Sequence, residues 1–84
     1  FVYDQPVTLG RSSSKANWVI DSDKGLSGAH CRLSLRDDRL FITDLNSTNG
    51  TYIGGKRISA ETEVQQDQDV TLGVTVYHIN WMDA

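Results

Sequence analysis

The sequence has one cysteine, one proline and no long apolar run, and each shortage removes a class of protein. A single cysteine can form neither an internal disulfide nor a cysteine-based zinc cluster, which excludes the disulfide-rich secreted scaffolds. The apolar runs are far shorter than the ~20 residues needed to span a bilayer as a helix. No basic segment followed by an apolar one opens the chain as a secretory signal would. We therefore expect a reducing, cytoplasmic setting.

Positive charge is also scarce, since 8 Lys and Arg residues face 11 Asp and Glu residues, for a net charge of −3. This balance argues against nucleic-acid binding through a broad basic surface, and we expect neither a nucleic-acid nor a membrane partner. The charges are unevenly placed, because Arg11, Lys15, Lys24 and Arg32 lie early in the chain and many of the acidic residues lie late. Such asymmetry indicates one small anion site on an acidic body.

The pattern of short runs and turn residues predicts an all-β fold in one domain, residues 1–84. Cys31, Leu33 and Leu35 alternate with polar residues, which is typical of a half-buried strand. Asp37-Asp38 and Gly54-Gly55 are tight-turn sequences. Turn residues recur every ~8–12 positions, which favours a two-sheet antiparallel β-sandwich. The predicted strands cover 6–9, 18–20, 31–36, 40–45, 51–53 and a pair over 70–81 that changes parity near 73–76, while 60–69 is predicted as a loop with a short extended piece.

Three short motifs resemble, by their order and spacing, the pattern of one known family. A Gly-Arg pair occupies positions 10–11, a Ser-x-x-His motif positions 27–30 and a Thr-Asn-Gly-Thr motif positions 48–51. Together they resemble the forkhead-associated (FHA) domain family over about residues 7–79. The resemblance implies a β-sandwich with its binding loops at one end. It also implies that the chain binds phosphothreonine in partner proteins of a Ser/Thr kinase signalling pathway, with no catalytic residue, metal or cofactor.

The residue types at these positions suit phosphate chemistry in their own right. A phosphothreonine carries a charge of about −1.5 to −2 and three strong acceptor oxygens. Arg11 has a planar, permanently charged fork of donors that matches phosphate. Ser27 and Thr48 are hydroxyl donors, and the Asn49 amide suits the main chain of an extended peptide. The resemblance implies phosphate contacts from Arg11, Ser27 and Thr48, a peptide-backbone contact from Asn49, and structural parts for Gly10, His30, Gly50 and Thr51. We add the backbone N–H of Gly28 to the expected phosphate donors because it follows Ser27 directly.

Two features depart from the family pattern. The residue after the motif serine is often Arg, Lys or Asn in the family, and here it is Gly28. One usual contact to phosphate or peptide is therefore lost or passes to the backbone. The chain also begins only ten residues before Arg11, so we expect a first strand that is truncated and a domain taken from a longer protein.

Two other functions compete with phosphopeptide binding. Residues 25–29 resemble the G-x-S-x-G elbow of hydrolases, and Asp69 and His78 follow in triad order. That elbow requires a helix after the serine, whereas residues 31–36 alternate as a strand, so we predict that the chain is not an enzyme. The second alternative is a phosphate-independent scaffold or self-association module within a larger assembly. The presence of Arg11 together with the hydroxyl and amide donors favours phosphothreonine binding over this alternative.

Overall fold

The computed structural model describes residues 6–78, and within them nine short strands form two sheets. The strands are β1 (Val7–Gly10), β2 (Trp18–Val19), β3 (Cys31–Arg36), β4 (Arg39–Asp44), β5 (Thr51–Ile53), β6 (Lys56–Arg57), β7 (Thr62–Val64), β8 (Asp69–Leu72) and β9 (Thr75–His78). One sheet has the order β2-β1-β3-β4-β7 and the other the order β6-β5-β8-β9. This confirms the predicted two-sheet β-sandwich.

Every neighbouring pair of strands is antiparallel except β1 and β2, which run parallel with Leu9 opposite Trp18. Parallel neighbours require a connection that carries the chain back to the starting end. Residues 11–17 do this, and the returning Asn17 N–H donates to the Thr8 carbonyl over 2.9 Å. The alternation of residues along the sequence carries no information about this pairing, because it reports burial and not strand direction.

The two-residue turns lie where the sequence predicted them. Asp37 and Asp38 have φ of 51° and 62°, and Gly54 and Gly55 have φ of 57° and 84°. Consecutive positive φ angles match the right-handed twist of the strands that such hairpins join. The parity change near 73–76 is the turn between β8 and β9, with Gly73 at φ 62°. The extended piece within 60–69 is β7, which pairs with β4. The continuation of the last predicted strand beyond residue 78 lies outside the described residues.

The core lies between the two sheets and draws on both of them. Ile42 and Val64 from the first sheet and Val70 from the second are fully buried. Cys31 lies in the same cluster, as expected, and burial, with a smaller contribution from the Asp44 charge, raises the pKa of its thiol to about 12. A thiol held in its neutral form is a poor nucleophile. Cys31 is therefore a packing residue.

The strand directions gather four loops at one end of the sandwich. β3 begins next to His30 and ends at Arg36, so the hairpin turn between β3 and β4 lies at the opposite end. Four loops lie at the end where β3 begins: those that follow β1, precede β3, follow β4 and join β8 to β9. They consist of residues 11–17, 20–30, 45–50 and 73–74. These loops carry all three motifs. Within residues 6–78 no helix has the length and apolar character needed to cross a membrane.

Candidate functional site

The first two motif loops are joined through their backbones. The Arg11 N–H donates to the Ser27 carbonyl over 3.0 Å, and the Ser12 N–H donates to the Gly28 carbonyl over 3.3 Å. Gly10 allows this approach, because a Cβ atom at position 10 would lie 2.0 Å from the Gly28 carbonyl oxygen. A real Cβ does not tolerate such a distance to the backbone, so position 10 requires glycine. The pairing holds Arg11 beside the motif serine.

Ser27 and Thr48 are joined directly at the centre of the loop cluster. The Thr48 N–H donates to Ser27 Oγ over 2.9 Å. Since Ser27 Oγ accepts this bond, its own hydroxyl proton is available to donate to a ligand. The Thr48 side chain is exposed, and its hydroxyl has no partner among the described residues. Both hydroxyl groups are therefore placed to donate to a common anion.

Asn49 connects the third loop to the second and leaves its amide oxygen without a partner among the described residues. Its Nδ2 donates to the Gly25 carbonyl over 2.7 Å. The amide oxygen is then left to accept, which is what the N–H of an extended peptide requires. The structure thus brings Arg11, Ser27, Gly28, Thr48 and Asn49, all selected from the sequence, to the same end of the sandwich.

His30 is fully buried beneath these loops and bonds to two of them. Its Nδ1 accepts from the Ser27 N–H over 3.1 Å, and its Nε2 lies 2.9 Å from the Gly50 carbonyl oxygen. An acceptor at Nδ1 and a donor at Nε2 define the neutral tautomer with its proton on Nε2. This geometry supports the structural part that the sequence indicated for His30. No face of its ring is open to a ligand.

Asp44, at the end of β4, organises the third loop and was not selected from the sequence as a site residue. Its carboxylate accepts from the Ser47 N–H over 3.1 Å, from the Ser47 hydroxyl, and from the Thr51 hydroxyl over 2.7 Å. Ser47 Oγ in turn accepts from the Gly50 N–H over 3.0 Å. These bonds close the loop and leave Thr48 and Asn49 pointing outward. The Asp-x-x-Ser spacing is a common turn signature that could have indicated this network.

The environment of Asp44 favours its charged form. Partial burial raises the pKa of the carboxyl, but the hydrogen bonds from Ser47 and Thr51 outweigh it, so the pKa lies below its usual value. A folded-state pKa below the unfolded value stabilises the domain above the unfolded pKa. This contribution is lost as the pH falls through the folded-state value.

We expect Asp44→Asn to lower the free energy of unfolding by about 1–3 kcal/mol, because an amide nitrogen would face the Ser47 N–H donor. Chemical denaturation at pH 7 measures the loss. The loss relative to the wild type should shrink at pH 3, where protonation weakens the wild-type network. The exposed carboxylate Asp21 supplies the control, since Asp21→Asn should change stability little. Equal stability of both variants at pH 7 would contradict the assigned network.

A fourth loop is tied to the site through Asp23. Its carboxylate accepts from the Gly25 N–H over 2.8 Å and from the Val74 N–H over 3.2 Å. Hydrogen bonding from the Thr75 side chain is the main cause that lowers the pKa of Asp23. Val74 itself is 77% exposed and apolar, beside the loop that Asn49 bonds. An apolar side chain is therefore available next to the polar cluster.

Two further cations lie near the motif loops: Lys15, which the sequence indicated only as one of the early basic residues of an anion site, and Arg57, which it did not indicate. The Arg57 guanidinium lies over Gly50, because a Cβ at position 50 would be 2.9 Å from Arg57 Nε. The Lys15 side chain lies over Gly28 in the same manner. Neither approach follows from spacing along the chain. With Arg11, they place three cations at one end of a domain whose net charge is −3.

The hydrolase interpretation fails on geometry. Ser27 leads into strand β3, and no helix follows it within the described residues. His78 does bond to Asp69, with Nδ1 and Oδ1 3.0 Å apart, but this pair lies at the end of β8 and β9 away from the 73–74 turn, and Ser27 lies at the end that holds this turn. The pKa of His78 is raised, first by this bond and then by a weaker one to Asp67. The described part of the chain also contains no cluster of three or more metal-ligating side chains.

Comparisons with known proteins agree on one family. The sequence model of the FHA domain matches residues 7–73. The FHA domain-containing protein FhaB of Mycobacterium tuberculosis is 32% identical over 76 residues, which are 90% of this chain and 48% of that protein. The chain therefore spans about half the length of these curated relatives.

Solved structures show the same architecture. The FHA domain of the CT664 protein from Chlamydia trachomatis superimposes with a TM-score of 0.88 at 25% identity, over 99% of this chain and 82% of that one. The N-terminal FHA domain of S. cerevisiae Rad53p, in complex with a phosphothreonine peptide, gives a TM-score of 0.70 at 27% identity. That alignment covers 83% of this chain and 57% of the other.

Proposed function

This chain belongs to the FHA domain family, and on that premise we propose that it is a phosphothreonine-binding module that mediates phosphorylation-dependent interaction between proteins in a Ser/Thr kinase pathway. One observation carries the proposal. The Arg11 guanidinium is exposed and has no hydrogen bond or ion pair to other residues between 6 and 78. The backbone N–H of Arg11 donates to the Ser27 carbonyl over 3.0 Å, and Ser27 Oγ accepts from the Thr48 N–H over 2.9 Å, so Arg11 belongs to the same loop cluster as these two hydroxyl-bearing residues.

The phosphate is bound by one cation and several neutral donors. Arg11 supplies a two-pronged, charge-assisted contact to two phosphate oxygens. Ser27 and Thr48 donate their hydroxyl protons, and the Gly28 N–H is a further donor with no acceptor among the described residues. Asn49 accepts from the peptide main chain and so fixes the direction of the ligand. Nothing in this arrangement activates a nucleophile, and the module binds its ligand without changing it.

The expected affinity follows from the number of strong contacts. Each charge-assisted bond contributes about 1.5–3 kcal/mol, so three contribute roughly 5–9 kcal/mol. Association costs at least about 4 kcal/mol in lost translational and rotational freedom. Contacts to the residues that flank the phosphothreonine must supply the remainder. A micromolar Kd, about −8 kcal/mol, is the expected result and suits reversible signalling.

The alternative of a phosphate-independent scaffold gains no specific support from the site. A scaffold has no need of an exposed arginine that lacks a partner among residues 6–78 and lies in the same loop cluster as two hydroxyl donors. We further propose a cytoplasmic location, supported by the single cysteine, which is buried as a free thiol.

The experiment that tests the proposal is selection from a degenerate phosphothreonine peptide library, with phosphoserine and unphosphorylated libraries alongside. Enrichment from the phosphothreonine library alone is the expected result, and it reveals the preferred flanking residues. Equal enrichment from the unphosphorylated library would overturn the proposal in favour of the scaffold.

A further inference from the structure

In the FHA family the residue after the motif serine often has a cationic or amide side chain, and in this chain that residue is Gly28. The Lys15 side chain lies where a side chain of residue 28 would be. The loop after Arg11 makes a tight turn, in which the N–H groups of Lys15 and Ala16 donate to the Ser12 carbonyl over 3.1 and 2.9 Å. Ser12 N–H bonds to the Gly28 carbonyl over 3.3 Å. The turn that carries Lys15 is therefore fastened to residue 28 itself.

The side chain of Lys15 lies in the space that a residue-28 side chain would need. A Cβ at position 28 would lie 3.1 Å from Lys15 Cδ, 3.3 Å from Ser12 Cβ and 3.9 Å from Lys15 Nζ. Gly28 does not have a positive φ, so its backbone would accept another residue. The absence of a side chain at position 28 therefore leaves space for the Lys15 side chain, and the backbone conformation of residue 28 does not require glycine.

The Lys15 ammonium has no salt bridge or hydrogen bond to other residues between 6 and 78. The Lys15 stem passes over Gly28, and its ammonium lies beside the same residue. The neighbour of Gly28 is Ser27, whose hydroxyl donates a hydrogen bond to the phosphate in the proposed function. A lysine places a mobile point charge on a flexible stem, so it can follow a phosphate that Arg11 has positioned.

Resting on the proposed function, we propose that Lys15 is the second phosphate-binding cation of this domain. It reaches from the loop after β1 across Gly28 and takes the place of a cation at position 28. The ligand it recognises is the phosphate of the phosphothreonine, bound between the Lys15 ammonium and the Arg11 guanidinium. A glycine at position 28 is part of this arrangement, because a larger residue would displace the lysine stem.

The test is isothermal titration calorimetry with the peptide selected from the phosphothreonine library. Lys15→Ala should raise Kd about tenfold, the effect of losing one charge-assisted contact at an exposed site. Its affinity should also depend less on salt than that of the wild type. Arg39→Ala is the matched control and should leave Kd unchanged. It also removes one exposed cation, but Arg39 lies at the end of β4 away from the motif loops.

A double variant tests the geometry directly. Gly28→Lys in the Lys15→Ala background moves the cation to position 28 and should restore Kd to within about threefold of the wild type. A Lys15→Ala domain that binds as tightly as Arg39→Ala would overturn the inference while the proposed function stands. Loss of affinity without recovery in the double variant would overturn the claim that Lys15 takes the place of residue 28. A wild-type domain that binds no phosphopeptide would overturn the proposed function itself.

Discussion

Arg11→Ala is expected to abolish measurable phosphothreonine binding, raising Kd by at least about 100-fold, while leaving the domain as stable as the wild type. The guanidinium makes two charge-assisted contacts to phosphate, and each is worth about 1.5–3 kcal/mol. In the free domain the side chain is exposed and has no partner among residues 6–78. Its removal should therefore shift the melting temperature by less than about 4 °C.

Two variants make this result specific. Arg11→Lys keeps the charge but loses the planar fork, so its affinity should fall between those of the wild type and Arg11→Ala. Arg32→Ala removes an exposed cation from β3 and should bind as the wild type does. A large fall in melting temperature for Arg11→Ala, with binding retained, would assign Arg11 to the structure and not to the ligand.

His30→Ala should have the largest effect on stability among the site residues, lowering the free energy of unfolding by about 3 kcal/mol or more. The ring is fully buried and accepts from one loop while it donates to another. Its removal leaves the Ser27 N–H and the Gly50 carbonyl without partners and opens a cavity beneath the loops. For a domain of this size the melting temperature should fall by more than about 10 °C.

Binding should weaken in the same variant, even at a temperature where it remains folded. Ser27 and Gly50 belong to loops that His30 joins, so Arg11 and Thr48 would lose their common framework. The other histidine supplies the control: His78 is exposed, and within residues 6–78 its side chain pairs with Asp67 and Asp69, so His78→Ala should change stability far less. Equal melting temperatures for the two histidine variants would contradict the structural part assigned to His30.

Local sequence was sufficient to predict most of the fold. The alternation from Cys31 to Leu35 predicted β3, because period-2 burial is a property of the strand itself. The pairs Asp37-Asp38 and Gly54-Gly55 predicted hairpin turns because positive φ is a local requirement. The parallel pairing of β1 and β2 could not be predicted, since it depends on a seven-residue connection whose path is decided by tertiary hydrogen bonds.

Some parts of the candidate site could likewise be predicted from the sequence, and others could not. The residues within recognisable motifs, such as Arg11, Ser27 and Thr48, were selected from the sequence because the order of the motifs is informative. The network around Asp44 was missed, although its spacing to Ser47 is that of a common turn. The approach of Lys15 to Gly28 is different, since the two residues come from separate loops and meet only when the sandwich forms. No pattern along one segment encodes such a contact.

The most direct test of the central claim is a calorimetric titration of the wild-type domain with one peptide in three forms: phosphothreonine, phosphoserine and unphosphorylated threonine. We predict a micromolar Kd for the phosphothreonine peptide and at least about tenfold weaker binding of the phosphoserine form. The unphosphorylated peptide should give no heat. Equal affinity for the phosphorylated and unphosphorylated threonine peptides would contradict the claim that this domain binds through phosphate.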